Sequence, residues 1–249
     1  RATIALCYDL PTSRGFAEFV QNAQVNMLGV VPSLVRAWRD SDCPAGLNWR
    51  AIKAFSSTGE CSDPEDMHYL MVQAGYRPVV EYCGGTEIGG GYITGTVIQP
   101  ASPATFTTPA LGTAITILDD TGAPADDGEL FIVPPSLGLS ETLLNREHDT
   151  VYFDDSPPGD DGASLRRHGD RMIRLPGGYF RAEGRIDDTM NLGGIKVSSA
   201  EIERVVVQVN GVHETAAIAV PPRRRRLQRN CLGAARLSRR HHAAWACRT

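Results

Sequence analysis

Four short stretches of this chain combine residue types that could do chemistry. In Ser56-Ser57-Thr58-Gly59-Glu60, small hydroxyl residues and a glycine would let backbone lie close to a flat ligand. The plainer reading is an ordinary loop between a strand and a helix. In Glu81-Tyr82-Cys83-Gly84-Gly85-Thr86-Glu87, Thr86 offers a hydroxyl to a phosphate oxygen and Glu87 a hard oxygen to Mg²⁺. A glycine-rich turn followed by a surface acid explains it equally well. In Arg167-His168-Gly169-Asp170, an aspartate after a glycine could take both hydroxyls of a ribose, as acidic residues do in dinucleotide folds. Alternatively it is an Asp turn, with His168 serving packing or surface. The fourth stretch, Gly184 to Lys196 followed by Ser198-Ser199-Ala200-Glu201-Ile202-Glu203, is the most specific. A charged linker accounts for its acids, but not for the glycine pair, capping box and spacing together.

The elements that must position these residues read as α/β. Phe16, Phe19, Val20 and Ala23 recur at helical spacing. Residues 25–31 read as a buried strand, Pro32 to Trp38 as a short helix, and 52–57 as a second strand. Asp63-Pro64 starts a helix with Met67, Leu70, Met71 and Ala74 on one face, and 78–83 is a third strand. This alternation implies a parallel sheet covered by helices. After residue 90, glycine and proline punctuate short strands at 111–118, 128–133, 171–175 and 179–183, a β-rich grammar. Residues 154–164 are a polar loop. Ile202, Val205, Val206 and Val209 form a last helix face, and 213–220 a last strand.

Of 249 residues 42% are hydrophobic, which excludes a disordered chain and allows one or two domains. No apolar run approaches the roughly 18 residues of a membrane span, and residues 1–20 do not read as a secretory signal. Six dispersed cysteines with no CxxC pair argue against a zinc site or disulfide scaffold and fit a reducing compartment. Nine of the 25 basic side chains and none of the 29 acids fall in 223–249, so an acidic body carries a basic tail. Lysine occurs only at Lys53 and Lys196.

The order STGE, GGTE, HGD and GRIDDTMNLGGIK with SSAEIE resembles the adenylate-forming superfamily, and within it acetyl-CoA synthetase-like and plant acyl-activating enzymes, since Asn191 stands where many relatives carry lysine. The likeness runs from residue 25 to about 220. It implies an α/β fold whose first 184 residues are the C-terminal portion of a large N-terminal domain. Within it, residues 1–90 are α/β and residues 91–184 are β-rich. Residues 185–222 then begin a small α+β C-terminal domain. Residues 223–249, where the likeness stops, are expected to be a disordered basic tail. The implied activity is acid–thiol ligation. A carboxylate attacks the α-phosphate of ATP to give an acyl-adenylate and pyrophosphate, and the thiol of CoA then displaces AMP. By the same resemblance, Gly59, Glu60 and Cys61 lie along the nucleotide. Glu81, Tyr82, Cys83, Gly84, Gly85 and Thr86 wall the adenine and acyl pocket. Thr86 and Glu87 act at the phosphates, with Glu87 the Mg²⁺ ligand. Asp170 and Arg185 hold ribose, and Asp187 is a hinge. Gly193 and Gly194 pass the CoA arm, and Lys196 contacts phosphate without arginine's fork. Adenylyl transfer needs alignment and charge neutralisation more than a protein nucleophile, so no Ser-His-Asp set is required.

The departures from the family pattern carry their own expectations. Cys83 replaces an aromatic residue, with Tyr82 one position early and facing the other way. Gly84 replaces the bulky tryptophan of acetyl-specific enzymes, which would open the acyl tunnel to a substrate longer than acetate. The phosphate loop ending in Pro-Lys-Gly and the late catalytic lysine are absent from this sequence. The expectation is therefore an intracellular fragment, cytoplasmic or peroxisomal without an SKL-type ending, that acts on a small carboxylic acid in the intact parent and is inactive alone. A non-catalytic nucleotide- or acyl-binding module is the alternative, and nucleic-acid binding through the tail ranks last.

Overall fold

The computed structural model describes residues 2–159, 162–186, 189–192, 195–209, 212–218 and 232–237. Helix α1 (Arg14–Asn22) starts where Ser13 Oγ accepts the Phe16 N–H at 3.2 Å, and it buries Ala17 and Val20. Strand β1 (Met27–Val30) leads into α2 (Pro32–Ser41), β2 (Ala54–Ser57), α3 (Pro64–Gln73) and β3 (Val79–Gly85). Proline opens both α2 and α3, where a missing N–H costs nothing. Asp63 caps α3 by accepting from the Glu65 and Asp66 amides.

Strands β1, β2 and β3 pair in parallel, with Leu28 opposite Phe55 and Phe55 opposite Val79. Their core is aromatic and aliphatic: Trp38 and Trp49 meet edge to face at 5.4 Å, beside Phe55, Met67 and Leu70. Both indole N–H groups are satisfied, by the carbonyls of Pro11 and Ala17. Buried Asp66 of α3 takes Arg36 at 3.1 Å and Arg39 at 2.7 Å, clamping α3 to α2.

The sheet changes sense at β3. A three-residue helical turn at 86–88 reverses the chain into β4 (Gly90–Thr94), antiparallel to β3, and β5 (Thr108–Pro109) follows on its far side. A second, antiparallel sheet has the order β6 (Ala114–Leu118), β7 (Asp127–Val133), β8 (Arg166–Leu175) and β9 (Tyr179–Arg185), with helix α4 (His148–Tyr152) between β7 and β8. The two sheets join through paired Phe106 and Phe180 amides, at 2.8 and 2.9 Å, over Ile93, Leu130, Ile132 and Met172. Then come the hairpin strands β10 (Thr189–Leu192) and β11 (Ile195–Ser198), helix α5 (Ser199–Val206), and the antiparallel pair β12 (Val212–Ile218) and β13 (Leu232–Leu237).

Several expectations need correction. The first strand is shorter than 25–31 and only half buried. As an edge strand it leaves Met27 63% exposed. Gly169-Asp170 is not a turn: both lie inside β8, at a register shift against β9. Helix α5 stops at Val206, and Val205 and Val209 are exposed. The helix docks instead through Glu203, which accepts the Ala217 amide at 2.8 Å, and Arg204, which reaches Glu183 at 3.8 Å. Within the tail expected to be disordered, residues 232–237 form strand β13. Its short Leu-Gly-Ala-Ala-Arg-Leu run holds a single charge and pairs with the open edge of β12. The Ser198–Glu201 capping box falls on side chains outside the described residues.

Candidate functional site

In open α/β sheets, ligands sit beyond the carboxyl ends of parallel strands. Here the carboxyl ends of β2 and β3 open into a cavity of about 430 Å³ closed on the far side by β8 and β9. Three distant segments converge on it. The loop after β2 contributes Gly59, Glu60 and Cys61; the end of β3 and the turn beyond it contribute Glu81 through Glu87; β8 and β9 contribute His168, Asp170 and Arg185. Gly59 holds φ +93°, a backbone region that favours glycine.

Asp170 anchors the β8 side. Its Oδ2 accepts the Tyr92 hydroxyl at 2.6 Å and the Cys83 thiol at 3.4 Å, while Arg185 Nη1 stands 3.4 Å from Oδ1. The same Arg185 nitrogen donates to the His168 carbonyl at 3.1 Å. That approach requires Gly169: its φ is +87°, and a Cβ there would lie 2.6 Å from Arg185 Nη2. Burial, reinforced by Asp170, pushes the Cys61 thiol up to about 11 and the Cys83 thiol further. Both stay protonated and unreactive, as wall residues.

Glu81 is 3% exposed. Its Oε2 accepts from Ser62 Oγ at 3.0 Å, and Ser62 in turn meets Ser57 at 3.3 Å; Oε1 has no hydrogen-bond partner. Burial raises its carboxyl to about 7, against the pull of the two serines. Glu87 is a third exposed on the cavity wall. Its carbonyl is held by the Ser140 amide at 2.7 Å and, more loosely, by buried Arg166 at 3.4 Å, so the turn that aims it is braced. One hard carboxylate beside the Thr86 hydroxyl fits Mg²⁺, which takes one or two carboxylates and fills its shell with phosphate and water. No group of three or more potential metal ligands occurs among the described residues.

Three sequence readings change here. Glu60 does more than border the cavity: its carboxylate receives the Ser33 amide at 2.9 Å and the Ser33 hydroxyl at 2.8 Å, capping α2, whose own N-cap residue, Val31, offers no acceptor. Gly84 does not open a tunnel. A Cβ there would lie 2.0 Å from the Gly90 carbonyl oxygen, so backbone of β4 fills the space a side chain would take. Tyr82, expected to face away, also borders the cavity; the register of β3 against β4 slips just beyond it, between Cys83 and Gly84. Asp187, Gly193 and Gly194 lie outside the described residues, and Lys196 is placed only as backbone, opposite Asn191 in the hairpin.

Sequence reasoning misses Tyr92 and Ser62, places Ser57 in a ligand-facing stretch without its link through Ser62 to Glu81, and reads His168 as packing or surface. Nothing local marks Tyr92; its contact with Asp170 spans 78 positions. His168 does carry a signal, since it sits two residues before a candidate aspartate and so on the same face of a strand.

No protein-family model matches the chain. Over 227 residues, 89% of the chain, it is 51% identical to the probable peroxisomal acyl-activating enzyme 17 of Arabidopsis thaliana, and it spans 31% of that protein. It is 48% identical over the same length to the hexanoyl-CoA synthase of Cannabis sativa, again spanning 31%. Among solved structures it shares the fold of the anthranilate CoA ligase AuaEII, determined in complex with anthranoyl-AMP. The TM-score is 0.73 at 18% identity, over 94% of this chain and 43% of that one. The chain thus corresponds to about a third of the length of its sequence relatives, which are acyl-activating enzymes.

Proposed function

We propose that this chain carries the adenosine- and phosphate-facing wall of an ATP- and Mg²⁺-dependent acid–thiol ligase. The observation that carries this reading is the convergence of Thr86, Glu87, Asp170 and Arg185 on one cavity at the carboxyl ends of β2 and β3. A volume of about 430 Å³ lies within the usual range of roughly 300–1,000 Å³ for small-molecule sites.

Each group then has a task. Asp170, fixed by Tyr92 and Cys83, accepts the ribose hydroxyls, and Arg185 closes over them. The unpartnered Glu81 Oε1 suits a donor such as the exocyclic amine of adenine, with Tyr82 and Cys83 alongside. Thr86 donates to a phosphate oxygen. When bound at Glu87, Mg²⁺ supplies charge neutralisation to the polyphosphate. The substrate carboxylate attacks the α-phosphorus in line with the departing pyrophosphate, and the CoA thiol later displaces AMP from the acyl carbon. These side chains align and neutralise and make no covalent bond themselves.

Residues 185–222 are proposed as the start of the small domain, with Asp187 as its pivot, Gly193 and Gly194 beside the CoA arm and Lys196 toward phosphate. Likeness to a hexanoyl-CoA synthase favours a short- to medium-chain fatty acid, and likeness to a peroxisomal enzyme favours that compartment. The chain alone is proposed to bind nucleotide without completing the reaction. Lys53 precedes β2 and lies at the end of the strand away from the cavity, so it cannot stand in for a lysine at the phosphates. Equilibrium titration with AMP, beside a pyrophosphate-release assay with ATP and hexanoate, tests both halves. Binding without release is expected. Release at enzyme-like rates contradicts the inactivity, and absence of AMP binding contradicts the site.

A further inference from the structure

Arg166 is fully buried in β8, four residues before Asp170 and on the same face of the strand. Its Nη2 donates to Ser140 Oγ at 3.2 Å and to the Glu87 carbonyl at 3.4 Å. Its guanidinium carbon lies 3.8 Å from the centre of the Tyr152 ring, so α4 covers it. Nε and Nη1 have no hydrogen-bond partner, and no carboxylate pairs with the charge among the described residues. The segment before α4 is tied to the same turn. The Ser140 amide holds the Glu87 carbonyl at 2.7 Å, and Ser140 Oγ meets His148 at 3.3 Å. A Cβ on Gly138 would lie 2.7 Å from the Ile88 carbonyl oxygen, so backbone packs on backbone there. Arg166 joins both segments to β8.

We infer that Arg166 is a positioning residue that sets the distance between Glu87, at the cation-facing end of the cavity, and Asp170, at the ribose-facing end. This rests on the adenosine-site reading above. Stability alone does not account for such a group: an unpaired charge in the interior is destabilising, and an apolar side chain of similar volume commonly does better. Nor does hydrogen-bond satisfaction. Without Arg166, the Glu87 carbonyl keeps the Ser140 amide, and Ser140 Oγ keeps His148. What is lost is the tie between the turn that aims Glu87 and the strand that carries Asp170. AMP, held at its base and ribose, is little affected by that spacing. Mg²⁺·ATP spans both ends of the cavity and depends on it.

The test is calorimetric titration of the 249-residue chain with AMP and with Mg²⁺·ATP. Arg166→Met fills the volume without charge or donors. It is expected to retain or raise the thermal transition and to leave AMP affinity unchanged. Its Mg²⁺·ATP affinity should fall about ten-fold, as when a group that orients a metal ligand is lost. Arg166→Lys keeps the charge on a flexible stem without the planar group, so it should lose Mg²⁺·ATP affinity as well. It carries the same test if Arg166→Met does not fold. In a Glu87→Gln background the loss should largely vanish, because Arg166 acts through Glu87. Equal losses for AMP and Mg²⁺·ATP, or an undiminished loss in the Glu87→Gln background, point to general packing and overturn the inference. Full Mg²⁺·ATP affinity in Arg166→Lys assigns the effect to charge and overturns it too. In each of these cases, AMP binding that is abolished by Asp170→Ala leaves the adenosine site standing. Failure of the wild-type chain to bind AMP overturns both.

Discussion

The two halves of the molecule are built on opposite plans. Around β1–β3 the interior is apolar, with Trp38, Trp49, Phe55, Met67 and Leu70 all buried and both indole nitrogens satisfied by backbone. Where β3 and β4 meet β8, a polar seam of buried Tyr92, His168, Asp170 and Arg166 runs beside the apolar cluster of Ile93, Leu130, Ile132 and Met172. The first arrangement gains stability from area removed from water. The second gives some of it up, because buried polar groups must be paired to break even. A stiff sheet thus presents strand ends to a seam that can hold charge.

The contrast can be broken from either side. The largest loss should come from the apolar half: Trp38→Ala is expected to destabilise the fold by about 3–5 kcal/mol in urea denaturation, by cavity formation. The largest gain should come from the polar half. Glu81 has its carboxyl raised to about 7 in the folded state, so the folded chain keeps a proton that the unfolded chain releases. Its favourable contribution is whole below about pH 4.5 and is lost as pH rises to about 7. Glu81→Gln should therefore raise stability at pH 8, by at most about 3 kcal/mol, and flatten the slope over that window, as chemical denaturation across pH would show. A smaller effect is expected for Tyr92→Phe. It removes the 2.6 Å bond to Asp170 and should cost about 1–2 kcal/mol of stability, with weaker AMP binding as the larger sign of damage.

The same contrast explains what the sequence reveals. Elements of the apolar half announce themselves through caps and short apolar runs: Asp63-Pro64 opens α3, Pro32 opens α2, residues 52–57 enclose β2, and residues 78–83 cover all of β3 but its last two glycines. Strand β4 is illegible because Gly-Gly-Tyr-Ile-Thr has too little alternation, and α4 because His-Asp-Thr-Val-Tyr buries no residue. The β10–β11 hairpin does carry a signal, the Gly193-Gly194 pair between two four-residue runs, but within the longer motif that signal is easily passed over. Within the site, the motif residues from three segments do meet at one cavity. Their supports do not show, since Tyr92 reaches Asp170, Ser62 reaches Glu81 and Arg166 reaches Glu87 only through the tertiary fold. The error at Gly84 has the same origin. A missing side chain reads as open space until a second strand is seen to occupy it.

Calorimetric titration of AMP into the wild-type chain and into Asp170→Ala tests the adenosine site most directly. Saturable binding to the first, weakened at least about ten-fold in the second with the thermal transition retained, is the expected result. Equal binding to both, or none to either, would contradict it.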